Sequence, residues 1–202
     1  MARVTFVKRA RKANRVAGVG ESYYWWKPFR SGKQFSKTYP RSSQLCSGRK
    51  SEVMAAQEAL SDDLGAAGTV EEIQAACEAC AESFRDLGQE YEESADAMPE
   101  NFQYTDQTEG MREMAQSLET QADELDNLDF DLPNDWDEEE PEEPSIADYE
   151  SDEDYSEAMD QHDDDMHTWL SDKSDAENEN ESHMDTLKED AESISGDVEF
   201  MF

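Results

Sequence analysis

The chain has 202 residues, 36% of them hydrophobic and 34% charged, with 52 Asp and Glu against 17 Lys and Arg and a formal net charge of −35. So little apolar content at so high a charge excludes one large core, because burial then cannot offset the entropy of ordering the whole chain. No membrane-spanning helix is expected, since no apolar run approaches the roughly 20 residues that span a bilayer.

The basic N-terminus is not followed by the apolar stretch of a secretory signal, and three cysteines do not make a disulfide framework. A reducing cytoplasm is the expected setting. Charge is divided sharply along the chain. Residues 1–50 hold thirteen Lys and Arg and a single acid, Glu21, a net +12, whereas residues 51–202 hold four bases and 51 acids, a net −47. Asymmetry of this kind signals contact with nucleic acid or a charged partner.

The opening MARVTFVKRARK alternates, with Val4, Phe6 and Lys8 on one side and Thr5, Val7 and Arg9 on the other, and this predicts a strand running into a basic segment. Gly18 and Gly20 punctuate a loop. Two aromatic runs then flank Ser31-Gly32, which predicts a two-residue hairpin turn pairing Arg30 with Lys33, Pro28 with Phe35, Trp26 with Lys37 and Tyr24 with Tyr39. Pro28 cannot donate to a ladder and so implies an edge strand or a bulge. An isolated hairpin is marginal in water, so a three-stranded antiparallel sheet is the expected head.

Residues 40–50 read as a basic linker, and Val53, Gln57, Leu60 and Leu64 predict a short helix over about 51–64, ended by Gly65 and Gly68. Thr69 has the character of an N-cap with acids after it. From there Val70, Ile73, Cys77, Cys80, Phe84, Leu87 and Tyr91 repeat at alternating three and four residues, a heptad seam. A second seam runs Met111, Met114, Leu118, Gln121, Leu125, Leu128 beyond the break at Met98-Pro99. The two predict a coiled-coil-like antiparallel hairpin, completed as a bundle by a partner chain, so that 69–131 is the surface for a homodimer. Past Leu132 the composition is acid, Ser and Asn with scattered aromatics, which reads as disorder. The expected class is α+β: a basic β-sheet head at 1–45, a linker and short helix at 46–68, a helical hairpin at 69–131, and a disordered acidic tail at 132–202.

The head carries the strongest chemical signal. Clustered Lys and Arg hold phosphates through charge and counterion release, and a two-stranded ribbon fits the major groove. The candidate nucleic-acid contacts are Lys8, Arg9, Arg11, Lys12, Arg15, Trp25, Trp26, Lys27, Arg30, Lys33, Lys37 and Arg41, with DNA expected over RNA. The competing reading makes Tyr23, Trp25, Trp26 and Phe29 the core of a very small sheet, which leaves the cations unexplained.

Run together, Tyr24-Trp-Trp-Lys-Pro-Phe-Arg-Ser-Gly-Lys-Gln-Phe-Ser-Lys-Thr-Tyr-Pro40 resembles the arm-type DNA-binding domains of tyrosine integrases, in which an aromatic strand, a Gly-Lys turn and a basic strand precede a helix. The resemblance covers residues 2–60 and implies DNA binding. The chain departs from such enzymes in having no Arg/His/Arg/Tyr set, since His162, His167 and His183 all lie in the tail. The head is also similar to those of phage-encoded proteins without an assigned activity, which implies a phage or prophage source and the host cytoplasm as the setting.

Other motifs are weaker. Cys77-Glu-Ala-Cys80 falls on helical seam positions with no second ligand pair, so both cysteines read as small buried hydrophobes rather than as a zinc or redox site. His162-Asp-Asp-Asp-Met-His167 reads as a solvated acidic run, the calcium-loop pattern fails from Asp148 with Glu153 at the glycine position and Met159 at the final glutamate position, and no phosphate loop, dinucleotide glycines or serine elbow is present. No enzyme activity, metal or cofactor is expected. The tail reads as a solvated spacer, as an internal competitor for the basic head, or as a recruiting tail. Its end, Asp-Val-Glu-Phe-Met-Phe202, is similar to the tails by which single-stranded-DNA-binding proteins recruit partners, which implies Phe200 and Phe202 as partner contacts. The function expected is a phage or mobile-element accessory protein that binds DNA through its head. The alternative is an inhibitor or scaffold whose acidic helices and tail bind a host protein as a DNA mimic.

Overall fold

The alternation near the N-terminus becomes a three-stranded antiparallel sheet of β1 (Thr5–Val7), β2 (Tyr23–Trp26) and β3 (Gln34–Ser36), with β2 in the centre. The structure, a computed structural model, describes residues 2–28, 32–100, 102–134, 136–148 and 151–198. They divide into two units, one of Met1–Leu128 with Lys188–Phe202, the other of Asp129–Leu187.

The register corrects the expected hairpin. Phe6 pairs with Tyr24 across β1 and β2, and Trp25 pairs with Phe35 and Trp26 with Gln34 across β2 and β3. Relative to a turn at Ser31-Gly32 the pairing has slipped by three residues. An odd slip turns every side chain of β3 to the other face, so Phe35 joins Trp25 and Tyr23 instead of Tyr24 and Trp26. Pro28 is the physical cause. A proline inside a central strand would delete a ladder bond, so β2 stops at Trp26 and residues 27–33 become the connection. Within it, 29–31 lie outside the described residues.

The presumed linker also has structure. Helix α1 (Ser42–Leu45) packs under one end of the sheet, where Trp26 donates its indole N–H to the Gln44 carbonyl at 2.8 Å and Ala2 N–H donates to the Leu45 carbonyl at 2.8 Å. Gly48, at φ +71°, takes the left-handed turn that glycine alone tolerates freely and leads into α2 (Arg49–Ala66), which buries Val53, Leu60 and Leu64. Helix α3 (Val70–Asp96) starts at the expected cap, the Thr69 hydroxyl accepting from Glu72 N–H at 3.3 Å with Glu71 and Glu72 complementing the helix dipole.

All seven residues of the first seam are buried in α3, from Val70 to Tyr91. Helix α4 (Asp106–Asp126) returns antiparallel, with Arg85 reaching Asp123 and Asp126 and Arg112 reaching Asp96. The two helices cross closely at Gly88, where an added Cβ would stand 3.3 Å from the Ala115 carbonyl. Ala76, Ala81 and Ala95 are buried as well, because α3 packs on α2 as well as on α4. Helix α2 thus covers part of α3 within the chain.

The largest correction concerns the tail. Residues Asp152–Gly196 form one helix, α5, rather than a disordered segment. Its stripe of less exposed positions runs through Tyr155, Met159, His162, Met166, Trp169, Lys173, Ala176, Asn180, His183, Leu187 and Ala191 at spacings of four and three. That is the period of a helix face, obscured in the sequence because His, Lys and Asn fill positions normally apolar. Asp152, Glu153 and Asp154 lie in the first turn, where a helix dipole favours acids, and the Ser151 hydroxyl accepts from Asp154 N–H at 3.1 Å.

The final turns of α5 belong to the first unit. Gln57 donates its amide to the Ser195 carbonyl (2.5 Å), Ser61 bonds Glu192 (2.9 Å), and the Lys188 ammonium donates to the Ala67 carbonyl at 2.9 Å. Ala191, Ser195 and Val198 are buried there. In the second unit an extended acidic segment lies antiparallel along α5. Asn134 and Asn180 exchange two hydrogen bonds (3.1 and 2.8 Å), Trp136 meets Trp169 edge-on at 6.2 Å, and the Trp169 indole donates to the Glu138 carbonyl at 3.2 Å. Among the described residues no helix is long and apolar enough to cross a membrane.

Candidate nucleic-acid interface

Two faces of the sheet have different roles. On one, Trp26 is only 4% exposed and its indole is spent on Gln44, while Phe6, Tyr24 and Tyr39 stack beyond it with centroids 4.9 and 5.6 Å apart. On the other, Tyr23 lies 6.0 Å from Phe35, and Trp25 carries the Lys33 ammonium 4.6 Å from its ring centroid. Tyr23, Trp25 and Phe35 are half-buried while Lys33 is exposed. An exposed cation above a ring means that the ring's face is reached from solvent, and the pairing itself is a modest attraction.

The basic segment between β1 and β2 is an ordered loop. Ala10 N–H donates to the Glu21 carbonyl (2.8 Å) and the Ala10 carbonyl accepts from Gly20 N–H (2.9 Å), closing its base, and the Asn14 side chain accepts from Val16 and Ala17 N–H (2.9 Å each). Gly20, at φ +91°, supplies the bend. Lys8, Arg9, Arg11, Lys12 and Arg15 are all exposed on this loop, and among the described residues none of them has an ion-pair partner. Unpaired cations held on a closed loop are available to phosphates at no cost in broken salt bridges.

Glu21, the single acid of residues 1–50, ties the loop to the sheet. Its carboxylate accepts from Gly18 N–H at 2.9 Å and pairs with Lys37 at 3.1 Å. The Gly18 bond, followed by Lys37, holds its pKa below the usual carboxylate value. Its isolation among thirteen bases is visible in the sequence, whereas its two partners are not.

The structure sorts the other expected contacts. Trp25, Lys27 and Lys33 sit at or beside the open sheet face, Lys27 being exposed and unpaired among the described residues. Trp26 does not belong with them, because it is a core residue. Lys37 is shared with Glu21, and Arg41 is turned away to Asp62 on α2 (2.5 Å), a pairing that raises its pKa. Arg30, Phe200 and Phe202 lie outside the described residues. An open cleft of about 450 Å³ borders the β3 edge, lined by hydroxyls and amides of Gln34, Ser36, Ser43, Gln44, Ser47 and Ser51 beside Trp26 and Phe35.

Elsewhere, Cys77 and Cys80 are buried in the α3 seam, and burial pushes their thiols up to about 11 and about 12. Thiols held protonated are poor nucleophiles and poor metal ligands. Among the described residues no group of three His, Cys, Asp or Glu is arranged to hold a metal ion. No protein-family model, no curated protein and no solved structure matches the chain.

Proposed function

We propose that this is a non-enzymatic nucleic-acid-binding protein, acting on DNA through its N-terminal head. One observation carries the reading. Five exposed cations, Lys8 to Arg15, have no ion-pair partner among the described residues and stand on a clamped loop beside an aromatic sheet face, in a chain that carries 52 acids. In so acidic a protein, bases left without partners are best explained by a polyanion that arrives from outside.

Acids on α5 then act as a repulsive field that lowers non-specific retention and leaves only well-placed phosphate contacts effective. The resemblance of the head to integrase arm-binding domains and to phage-encoded proteins supports an accessory role in a phage or mobile element. The test is titration of labelled DNA with the full chain and with a Lys8→Gln, Arg9→Gln, Arg11→Gln, Lys12→Gln variant. Tight, salt-sensitive binding by the first and its loss in the second are expected; equal affinity refutes the proposal.

A second reading draws on α5 itself, a 45-residue helix with Lys173 and Lys188 as its only bases. Such a rod presents carboxylates to a basic groove on a host protein. Capture of a host protein that survives nuclease treatment and is lost on neutralising α5 favours this reading.

A further inference from the structure

The free cations of the head would hold paired and unpaired strands alike, and the sheet register bears on which of the two it takes. Accepting the nucleic-acid reading on which it rests, we infer that the face formed by Tyr23, Trp25 and Phe35 is a stacking platform for unpaired bases, so that the ligand of the head is single-stranded DNA.

A ribbon that reads duplex DNA from the major groove presents hydrogen-bonding side chains to base edges. This face presents three rings instead. Trp25 and Phe35 are directly paired across β2 and β3, and Tyr23 lies diagonally across from Phe35 at 6.0 Å. A ring offers a π-face, and bases inside a duplex have theirs occupied by their neighbours. Unstacked bases do not, and stacking on aromatic side chains is the sequence-tolerant means of holding them.

Charge is arranged to match. Lys33 lies over the Trp25 ring at 4.6 Å, on the face a base would take, so a stacking base displaces the flexible ammonium towards its own phosphate, and Lys27 is exposed at the same end of β2. At the other end the Glu21–Lys37 pair ties the sheet to the loop bearing Lys8 to Arg15, so a strand crossing the rings continues onto free cations. The odd register slip forced by Pro28 is what assembles the platform: in the register expected from the sequence, Phe35 would face away from Trp25. The opposite face cannot act in the same way along its length, because Trp26 is buried against α1.

The experiment uses the full chain and two fluorescent probes, an oligothymidine of about 16 nucleotides, near the upper site size of one such binding module, and a duplex of equal length. The single strand is expected to bind at least about tenfold more tightly than the duplex. Trp25→Leu, which keeps apolar bulk without the indole face, is expected to weaken single-strand binding about tenfold, Trp25→Phe to restore most of it, and neither to change the salt slope, since no cation is removed. Thermal melts of both variants verify that the sheet is retained. Phe35→Leu on the same face behaves like Trp25→Leu, and Phe6→Leu on the other face has no effect. Equal or tighter binding to duplex overturns the inference while leaving the nucleic-acid reading intact, as does unchanged single-strand affinity in folded Trp25→Leu and Phe35→Leu. Failure of both probes to bind at low salt overturns the two together.

Discussion

Gly88 offers a direct check on the packing that supports the head. Replacing it with alanine adds a Cβ at 3.3 Å from the Ala115 carbonyl and 3.7 Å from Leu118 Cβ. The nearer atom is backbone in the middle of α4, and Leu118 is fully buried, so neither can swing aside. Alanine gains about 1 kcal/mol of helix propensity over glycine, and overpacking a tight contact costs about 1–3 kcal/mol. The net change ranges from about neutral to about 2 kcal/mol destabilising.

Gly65 in α2 provides the contrast, because a Cβ there meets nothing within 4 Å. Gly65→Ala therefore keeps the propensity gain, about 0.5–1 kcal/mol, without the clash. The two variants should differ by about 1–3 kcal/mol, or roughly 2–12 °C in Tm for a chain of this size. Parallel thermal and urea unfolding of the full chain measures this. If Gly88→Ala stabilises as much as Gly65→Ala, the helices do not cross where the structure places them.

Trp26→Phe removes the bond to the Gln44 carbonyl and leaves a gap beside α1, lowering stability by at least about 1 kcal/mol in denaturant unfolding while DNA affinity is retained. Thiol labelling of the native protein at pH 8 should modify half-buried Cys46 first, with Cys77 and Cys80 reacting only on unfolding. Raised folded-state pKa values also set a sign for pH dependence. The contribution of these thiols to stability is complete below their ordinary value of 9.0 and is lost as pH rises from there towards about 11 and 12, so Cys77→Ala should flatten the alkaline limb of a stability–pH curve. Asp163→Asn, Asp164→Asn and Asp165→Asn together should tighten DNA binding at low salt, with the gain fading above about 0.15 M, where the Debye length is about 8 Å. Binding titrations of that triple variant across salt measure the effect.

Elements built on apolar spacing were legible in the sequence. The seam from Val70 to Tyr91, the Thr69 cap and the antiparallel return through Met114, Leu118 and Leu125 follow from 3.6-residue periodicity alone. Position of the hairpin register was not, because it depends on where a central strand must end, and Pro28 acts on a ladder that exists only once β1 is paired. Helix α5 was hidden for a different reason. Its stripe is there at spacings of three and four, but Lys173, Asn180 and His183 occupy it, and acids dominate the composition around them. Truncation at Leu132, natural for a disordered tail, would strip Ala191 and Ser195 from the first unit, so charge substitution on α5 is the sounder perturbation.

Within the proposed site, the exposure of Lys8 to Arg15 and the half-buried place of Trp25 agree with what composition and alternation suggest. Trp26 was not separable from Trp25 because adjacent tryptophans look alike in sequence, whereas a strand sends one to the core and the other to the open face. Glu21 had no legible role because that role depends on Gly18 N–H and Lys37, neither adjacent to it in the chain.

The most direct test of DNA binding by the head is the salt slope of the full chain, measured between about 50 and 200 mM salt and repeated after Lys8→Gln, Arg9→Gln and Arg11→Gln. If these cations hold phosphates, log K falls linearly with log salt, and their removal lowers the slope by about 0.7 for each single-strand phosphate no longer neutralised. A slope that stays the same once three cations are gone would contradict the claim that the head binds nucleic acid.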